Sequence, residues 1–295
     1  MTTSTTTTVH APARQPFDFG LSLRFVDSFP AMAGEQCTDG GTLTCALRAG
    51  GSTVGARISA DGAGLRYELH AAGPLGESAV AEVTDRLSFR LGLDDDVAAF
   101  YALAAGDPPF QRLVERLHGY HQVKFPSPLE LLCWAILGQR APLPVARRMK
   151  QAIVARAANG IVVDGRKLWA FPDLEQLLEL TQDELAGLIA NRRKAAYLHG
   201  AFRHWQEIDE SFLRSGDHEQ VRQRLLEIPG VGPWSSTFLM VRGLGRTETI
   251  GPDREGRLAA GRVYGRTLTD AEIVELAGRY EGWQGYWGHY LRVGG

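Results

Sequence analysis

Apolar and polar residues alternate strictly through Phe17-Asp18-Phe19-Gly20-Leu21-Ser22-Leu23-Arg24-Phe25. A period of two predicts a strand with one buried face. Thr42 to Leu47, Thr53 to Ile58 and Leu65 to Leu69 read as further strands, separated by Gly-Gly, Asp-Gly and Gly-rich turns, and Val80 to Phe89 continues the period. The pattern then lengthens toward helices. Asp94-Asp95-Asp96 is placed to cap one that begins near Val97, and a second runs from about Phe110 to His118. Ser127-Pro128 opens a third, with Leu129 to Gly138 as its apolar body. Helices are then expected over Val145 to Ala157, Leu174 to Ile189 with Thr181 or Asp183 as a cap, Ala195 to Phe212 and Val221 to Leu226. The last three run from Asp253 to about Tyr264, from Ala271 to Tyr280 after a Thr269-Asp270 cap, and from Trp283 to Arg292. The expected fold class is α+β: a small antiparallel-sheet N-terminal domain over 17–109, then a mainly α-helical domain over 110–295. The opening MTTSTTTT is polar and repetitive, so 1–16 is read as a disordered tail.

One stretch breaks the helical pattern. Ile228-Pro229-Gly230-Val231-Gly232 cannot be helix interior, because Pro229 lacks an N–H and the glycines lack side chains. Leu225-Leu226 leads in and a helix-like run from Ser235 to Arg242 leads out, with Ser235 or Ser236 able to serve as its N-cap. The segment 222–242 therefore reads helix, tight turn, helix. Such a hairpin presents bare backbone N–H groups beside a helix N-terminus, a seat for a phosphate. By glycine spacing alone an ordinary turn between packed helices is equally open.

Charge separates the two halves. The net value of −2 over 295 residues divides into 7 basic against 13 acidic residues in 1–109 and 25 against 21 in 110–295. The basic excess thus lies with the hairpin, where phosphate contact would need it. Cys37, Cys45 and Cys133 form no even disulfide set and no CxxC pair, which fits a reducing cytosol. No apolar run reaches membrane-span length, and none near the N-terminus looks like a signal peptide. There is no Walker loop, HExxH or triad-like arrangement, and the histidines are scattered.

Pro252-Asp253 follows the hairpin by some twenty residues, and Asp253 to Gly265 reads DREGRLAAGRVYG. Hairpin, spacer and acid in register resemble the helix-hairpin-helix DNA glycosylases of base excision repair. Leu131 to Arg140, LLCWAILGQR, resembles the Ile-Leu-Gly-Gln helix of the AlkA-type 3-methyladenine glycosylases. The strand-rich start, with Phe29-Pro30-Ala31-Met32-Ala33-Gly34, is similar to their N-terminal domain. The resemblance covers about Phe17 to Arg292 and implies a flipped base, an aromatic pocket and one carboxylate at C1′. Asp253 is the implied catalytic residue. Aligning on Pro252 with a Pro-Asp-Asp template would instead put Arg254 there, with Glu255 a further candidate. The residue after Gln139, an intercalating wedge in the family, is Arg140, which could stack on bases or contact phosphate. The family grips DNA through the hairpin, here Gly230, Val231, Gly232 and the Trp234 N–H, with Ser235 as a side-chain donor. Lys194, in the basic turn Arg192-Arg193-Lys194, could hold the backbone or be merely solvated.

Trp234 stands where strand-cutting relatives carry a Schiff-base lysine, so a monofunctional enzyme is implied. The base pocket is expected to draw on Trp234, Trp287, Tyr290 and Arg292, the last at the place of a family tryptophan. Aromatics at helical spacing are also the pattern of a core. Backbone carbonyls of Ile228 and Val231 could hold a monovalent cation; otherwise no cofactor is expected. The partner implied is double-stranded damaged DNA, without membrane or obligate protein partner, in the cytoplasm and with the nucleoid in a prokaryote. The implied function is hydrolytic excision of alkylated purines such as 3-methyladenine and 7-methylguanine. A glycosylase for deaminated or oxidised bases, and an inactive hairpin DNA-binding protein, are the alternatives.

Overall fold

The computed structural model describes residues 5–32 and 34–295. It begins with a strand, β1 (Thr5–Pro12), where a disordered tail is expected; residues 1–4 lie outside the described residues. The β-branched threonines suit an extended edge strand, and β1 pairs antiparallel with β5 so that Val9 faces Tyr67 and Ala11 faces Leu65. The second surprise is α1 (Phe19–Asp27), where the alternation predicts a strand. The Asp18 carboxylate accepts the Leu21 N–H at 3.3 Å and caps it, and Phe19, Ser22 and Val26 share the buried helical face. After a 3₁₀ turn at Pro30–Met32 come β2 (Gln36–Asp39), β3 (Thr42–Ala49), β4 (Ser52–Asp61) and β5 (Gly64–Ala71). The order β1-β5-β4-β3-β2 makes one antiparallel meander closed at its far edge by the N-terminal strand. Val80 to Phe89, expected to extend the sheet, lies within α2 (Glu77–Leu91). Its buried residues Ala79, Val83, Leu87 and Leu91 recur every four positions, and Gly92 ends it at φ +67°.

The helical part follows the expected capping closely. Asp96 caps α3 (Val97–Ala104) and Asp107 caps α4 (Pro108–Arg116). Ser127 caps α5 (Pro128–Gly138), which leads to α6 (Leu143–Ala157). A short hairpin of β6 (Gly160–Val163) and β7 (Arg166–Trp169) intervenes, turning at Asp164-Gly165. Asp-Gly after the β-branched run Ile161-Val162-Val163 is its legible signal, which the helical reading passed over. The single helix expected over Leu174 to Ile189 is two, α7 (Leu174–Leu178) and α8 (Gln182–Ile189), because Thr181 and Glu184 form a capping box between them. Likewise the run to Phe212 divides into α9 (Arg192–Trp205) and α10 (Glu210–Ser215), the latter capped by Asp209. The chain ends with α11 (His218–Leu226), α12 (Pro233–Gly243), α13 (Arg254–Tyr264), α14 (Asp270–Gly278) and α15 (Gln284–Gly294). Among the described residues no helix is long and apolar enough to cross a membrane.

Two hydrophobic clusters organise these elements, and they do not divide at 109/110. One joins the sheet and α1–α4 to α13–α15. The other joins α5–α12 with Phe125 and Ala31. The C-terminal helices therefore return to the N-terminal half, where Phe110, Tyr280, Trp287 and Tyr290 pack their rings together. The second cluster also encloses ions. Lys150 of α6 is fully buried and donates to Glu35 at 2.6 Å, to Glu130 of α5 at 2.5 Å and to the Ala31 carbonyl at 2.9 Å.

Candidate active site

Turn chemistry shapes the hairpin. Gly230 holds φ +85°, and a Cβ there would lie 2.9 Å from Tyr197 Cβ, so both conformation and space demand glycine. The Val231 N–H closes the turn on the Ile228 carbonyl at 3.0 Å, and Gln139 Nε2 donates to the Gly230 carbonyl at 2.6 Å. Gln139 thus fixes the hairpin through its side-chain amide. Helix α12 starts at Pro233, two residues before the expected start. Gly232 is its N-cap, without a side-chain cap bond, so neither Ser235 nor Ser236 caps it. Its first helical bond runs from the Ser236 N–H to Gly232 at 2.9 Å. The N–H groups of Trp234 and Ser235 precede that bond and face outward from a positive helix end.

A cleft of about 1130 Å³ opens in front of this helix end, lined by the hairpin, by Gln139 and Arg140 after α5, and by Arg193 and Lys194 at the start of α9. Arg140 is exposed at its rim in the left-handed region, φ +49°, a strained place for a side chain. Lys194 is half-buried and donates to the Leu137 carbonyl at the end of α5; burial lowers its pKa. It caps a helix as well as facing the cleft. Ser235 lines the cleft though largely buried. Val→Gly-type freedom is not available at Gly230: Gly230→Val is expected to weaken duplex binding about tenfold, since a β-branched residue at positive φ costs at least 1–2 kcal/mol before any clash with Tyr197. Fluorescence anisotropy with a DNA duplex measures this. Unchanged affinity would show that the hairpin does not carry the DNA contact.

Behind Trp234 lies a second, smaller cavity of about 170 Å³, at the seam between the two hydrophobic clusters. Trp234 is 47% exposed and lines both spaces, its ring tilted 30° against that of Phe238 at 5.0 Å between centroids. Trp234, Phe238, Val241 and Arg242 come from one face of α12; Gly285, Gly288, His289 and Arg292 come from one face of α15. Both glycines are needed for the approach, because a Cβ on Gly285 would meet Val241 at 2.8 Å and one on Gly288 would meet Ile250 at 2.8 Å. Phe238, Arg242 and His289 are lining residues that sequence reading missed. Their signal was the spacing of four and eight from Trp234 and of four from Gly285, legible only once the facing helix is known.

Asp253 stands in the wall of this pocket. Its backbone is extended at φ −140°, and it caps α13 through Oδ1, which accepts the Gly256 N–H at 2.7 Å. Oδ1 also accepts from Arg292 Nη2 at 3.0 Å, and Oδ2 accepts from the Trp234 indole N–H at 3.1 Å. Burial alone would raise this carboxyl's pKa. The Arg292 guanidinium, the Gly256 N–H and the Trp234 N–H outweigh it and hold the pKa below the usual aspartate value. Asp253 is therefore a carboxylate at neutral pH. Arg254 and Glu255 are exposed and line neither cavity, so the register that puts Arg254 in the site finds no footing.

Two expected pocket residues are elsewhere. Trp287 and Tyr290 are fully buried on the other side of α15, and neither lines either of these two cavities. The Trp287 indole donates to Tyr264 at 3.4 Å, and Tyr290 bonds the Tyr120 carbonyl and Tyr101. They are core because α15 packs its aromatic face on α4 and its glycine face on α12. Arg292 does reach the pocket, as the ion-pair partner of Asp253.

No family model matches the chain. It is 28% identical over 204 residues to the DNA-3-methyladenine glycosylase of Bacillus subtilis, a match covering 68% of this chain and 67% of that protein. It is 26% identical over 208 residues to the probable bifunctional transcriptional activator/DNA repair enzyme AlkA of Mycobacterium tuberculosis, of which it spans 40%. Its fold is similar to that of the 3-methyladenine DNA glycosylase from Archaeoglobus fulgidus, at TM-score 0.81 and 20% identity over 97% of both chains. In the hairpin, in the aspartate at the head of α13 and in these relatives, the chain is similar to the AlkA-type helix-hairpin-helix DNA glycosylases.

Proposed function

We propose that the protein is a monofunctional DNA glycosylase that excises alkylated purines, such as 3-methyladenine and 7-methylguanine, from duplex DNA. The carrying observation is an ionised Asp253 in the wall of a small cavity entered beside an exposed Trp234, next to a helix end with free N–H groups. Relatives that bear the name DNA-3-methyladenine glycosylase support the substrate class.

The cleft takes the backbone. The outward N–H groups of Trp234 and Ser235 and the exposed Arg140 and Arg193 offer donors to phosphates, contacts that carry no sequence information and suit a search of all DNA. Opening a base pair costs on the order of a few kcal/mol, least at a damaged base. Arg140, at the rim, is placed to fill the vacated stack with its planar guanidinium. The flipped base passes Trp234 and stacks against Trp234 and Phe238. As the C1′–N bond lengthens, the sugar becomes cationic, and the Asp253 carboxylate stabilises it and orients the attacking water. An N-alkylated purine already carries positive charge and leaves with little help. The free lone pair of the Ile228 carbonyl, with the Val231 carbonyl, is what the hairpin offers a monovalent cation. The protein acts in the compartment that holds the DNA.

Strand cleavage by an imine needs a lysine, and no lysine lines the Asp253 pocket. Wild-type protein incubated with methylated duplex is expected to release free 3-methyladenine and 7-methylguanine, with strand nicks appearing only after alkali. Chromatography of released bases and a denaturing gel measure the two. Nicks before alkali would overturn the monofunctional reading, and no release from any alkylated duplex would overturn the activity.

A further inference from the structure

Helix α6 brings a charge to the cleft that base flipping does not use. Arg148 is exposed and lines the cleft, and among the described residues it makes no hydrogen bond or ion pair. Four cations, Arg140, Arg148, Arg193 and Lys194, line this space, and among the described residues no carboxylate does. In a chain with a net charge of −2, such a wall is complementary to a polyanion. Two of the four are fixed near the hairpin. Arg193 donates to the hydroxyl of Tyr197, the side chain that Gly230 packs against, at 3.0 Å, and Lys194 caps α5. Arg148 stands apart from them. α5 packs on both α12 and α6, so a whole helix separates Arg148 from the hairpin, while the cavity beside Asp253 lies on the other side of α12. Packed helix axes are about 8–10 Å apart, which puts α6 up to about 20 Å from α12, away from that cavity. The support is firm: two residues beyond Arg148, Lys150 is buried and paired with Glu35 and Glu130. Between the two walls, the turn from α5 to α6 carries Arg140 and, at the first position of α6, Leu143, which is 56% exposed between two prolines.

We propose that this side of α6 is the seat of the undamaged strand: Arg148 takes one of its phosphates, and Leu143 enters the minor groove between the two backbones. This rests on the reading of the cleft as the DNA seat and adds to it the strand that carries no lesion. A nucleotide flipped past Trp234 ties the lesion-bearing strand to the cavity side of α12. The complementary backbone runs across a minor groove about 6 Å wide and then falls on the α6 side of the turn. Leucine is among the apolar side chains that enter a minor groove and part its base steps. Arg148 supplies charge and Leu143 supplies apolar contact, so salt separates them: a phosphate contact releases counter-ions, and an apolar contact does not. Neither contact reads sequence, and together they make the grip depend on a second strand.

Fluorescence anisotropy over a range of NaCl concentrations tests this with a duplex carrying one central tetrahydrofuran abasic analogue. Arg148→Gln is expected to weaken binding about three- to tenfold at low salt and to reduce the slope of log K against log [salt] by about 0.9, the value of one phosphate. Leu143→Ser is expected to weaken binding about threefold or more with the slope unchanged. Methylphosphonates, which remove phosphate charge, assign the strand. A short run of neutral linkages moved stepwise along the complementary strand should, at one position, weaken the wild type and leave Arg148→Gln unaffected, and no position in the lesion-bearing strand should do so. Coupling of Arg148 to the lesion-bearing strand would overturn the proposal, as would an unchanged slope for Arg148→Gln. A wild type that does not bind the duplex would instead sink the reading of the cleft on which the proposal stands.

Discussion

Asp253→Asn is expected to reduce excision of alkylated purines by at least about 10²–10³-fold, the loss seen when one group that stabilises transition-state charge is removed. The change is nearly isosteric, and asparagine is as good an N-cap as aspartate, so the bond from the Gly256 N–H can persist and α13 should stay folded. What disappears is the charge that the proposed mechanism sets against C1′. The new amide also presents N–H groups toward Arg292 or Trp234, both of which are donors. Duplex affinity should hold or rise, because one negative charge has left a DNA-facing site. Single-turnover base release together with anisotropy separates the two effects, and activity within tenfold of wild type would remove Asp253 from the catalytic role. pH adds a second check. The folded pKa lies below the ordinary aspartate value, so the carboxylate persists as pH falls and its contribution is lost only below that value. Excision should therefore show no acidic limb from Asp253 between about pH 5 and 7.

Lys150→Met is expected to cost about 3–5 kcal/mol of folding stability, read as the urea midpoint. The substitution keeps the apolar stem but leaves Glu35 and Glu130 buried without their ammonium, both carboxylates being 3% exposed. Loss of less than about 1 kcal/mol would mean that the cluster is not held together by charge. Glu35 gives the same cluster a pH signature. Burial pushes its pKa up to about 8 from an ordinary 4.5, against the pull of Lys150. Between those values the folded protein binds a proton that the unfolded chain has released, so stability falls as pH rises through that window. Glu35→Gln should flatten this slope, since an amide substitutes for the protonated acid.

The cluster is also a fair measure of what single-sequence reasoning can reach. Lys150 reads as one of several basic residues on a solvated helix face beside Arg147 and Arg148, and nothing local distinguishes it. Its burial follows from the 3₁₀ turn at Pro30–Met32 packing on α6, more than a hundred residues away in sequence. The strands expected at Phe17 and Val80 failed for a related reason. Over nine or ten residues, alternation places enough apolar side chains on one helical face that either period fits, and the Asp18 cap and the packing of α2 decided for helix.

The hairpin and Asp253 were legible because their determinants are local. A proline, two glycines and an N-cap carboxylate fix backbone conformation within a few residues, whatever packs around them. The capped helix starts at Ser127, Thr181 and Thr269 are of the same kind. The cavity beside Asp253 is not. It exists only where α12 of one hydrophobic cluster meets α15 of the other, and sequence pattern does not say which side of an amphipathic helix finds a core and which finds a cavity. On α15 the burial of Trp287 and Tyr290 against α4 sends Gly288, His289 and Arg292 to the opposite face. Sequence alone thus determined the turn, the acid and the helix caps, because short-range sterics and hydrogen bonds set them. Tertiary structure decided the lining of the pocket and its net charge, because burial is shared between segments that are neighbours only after folding.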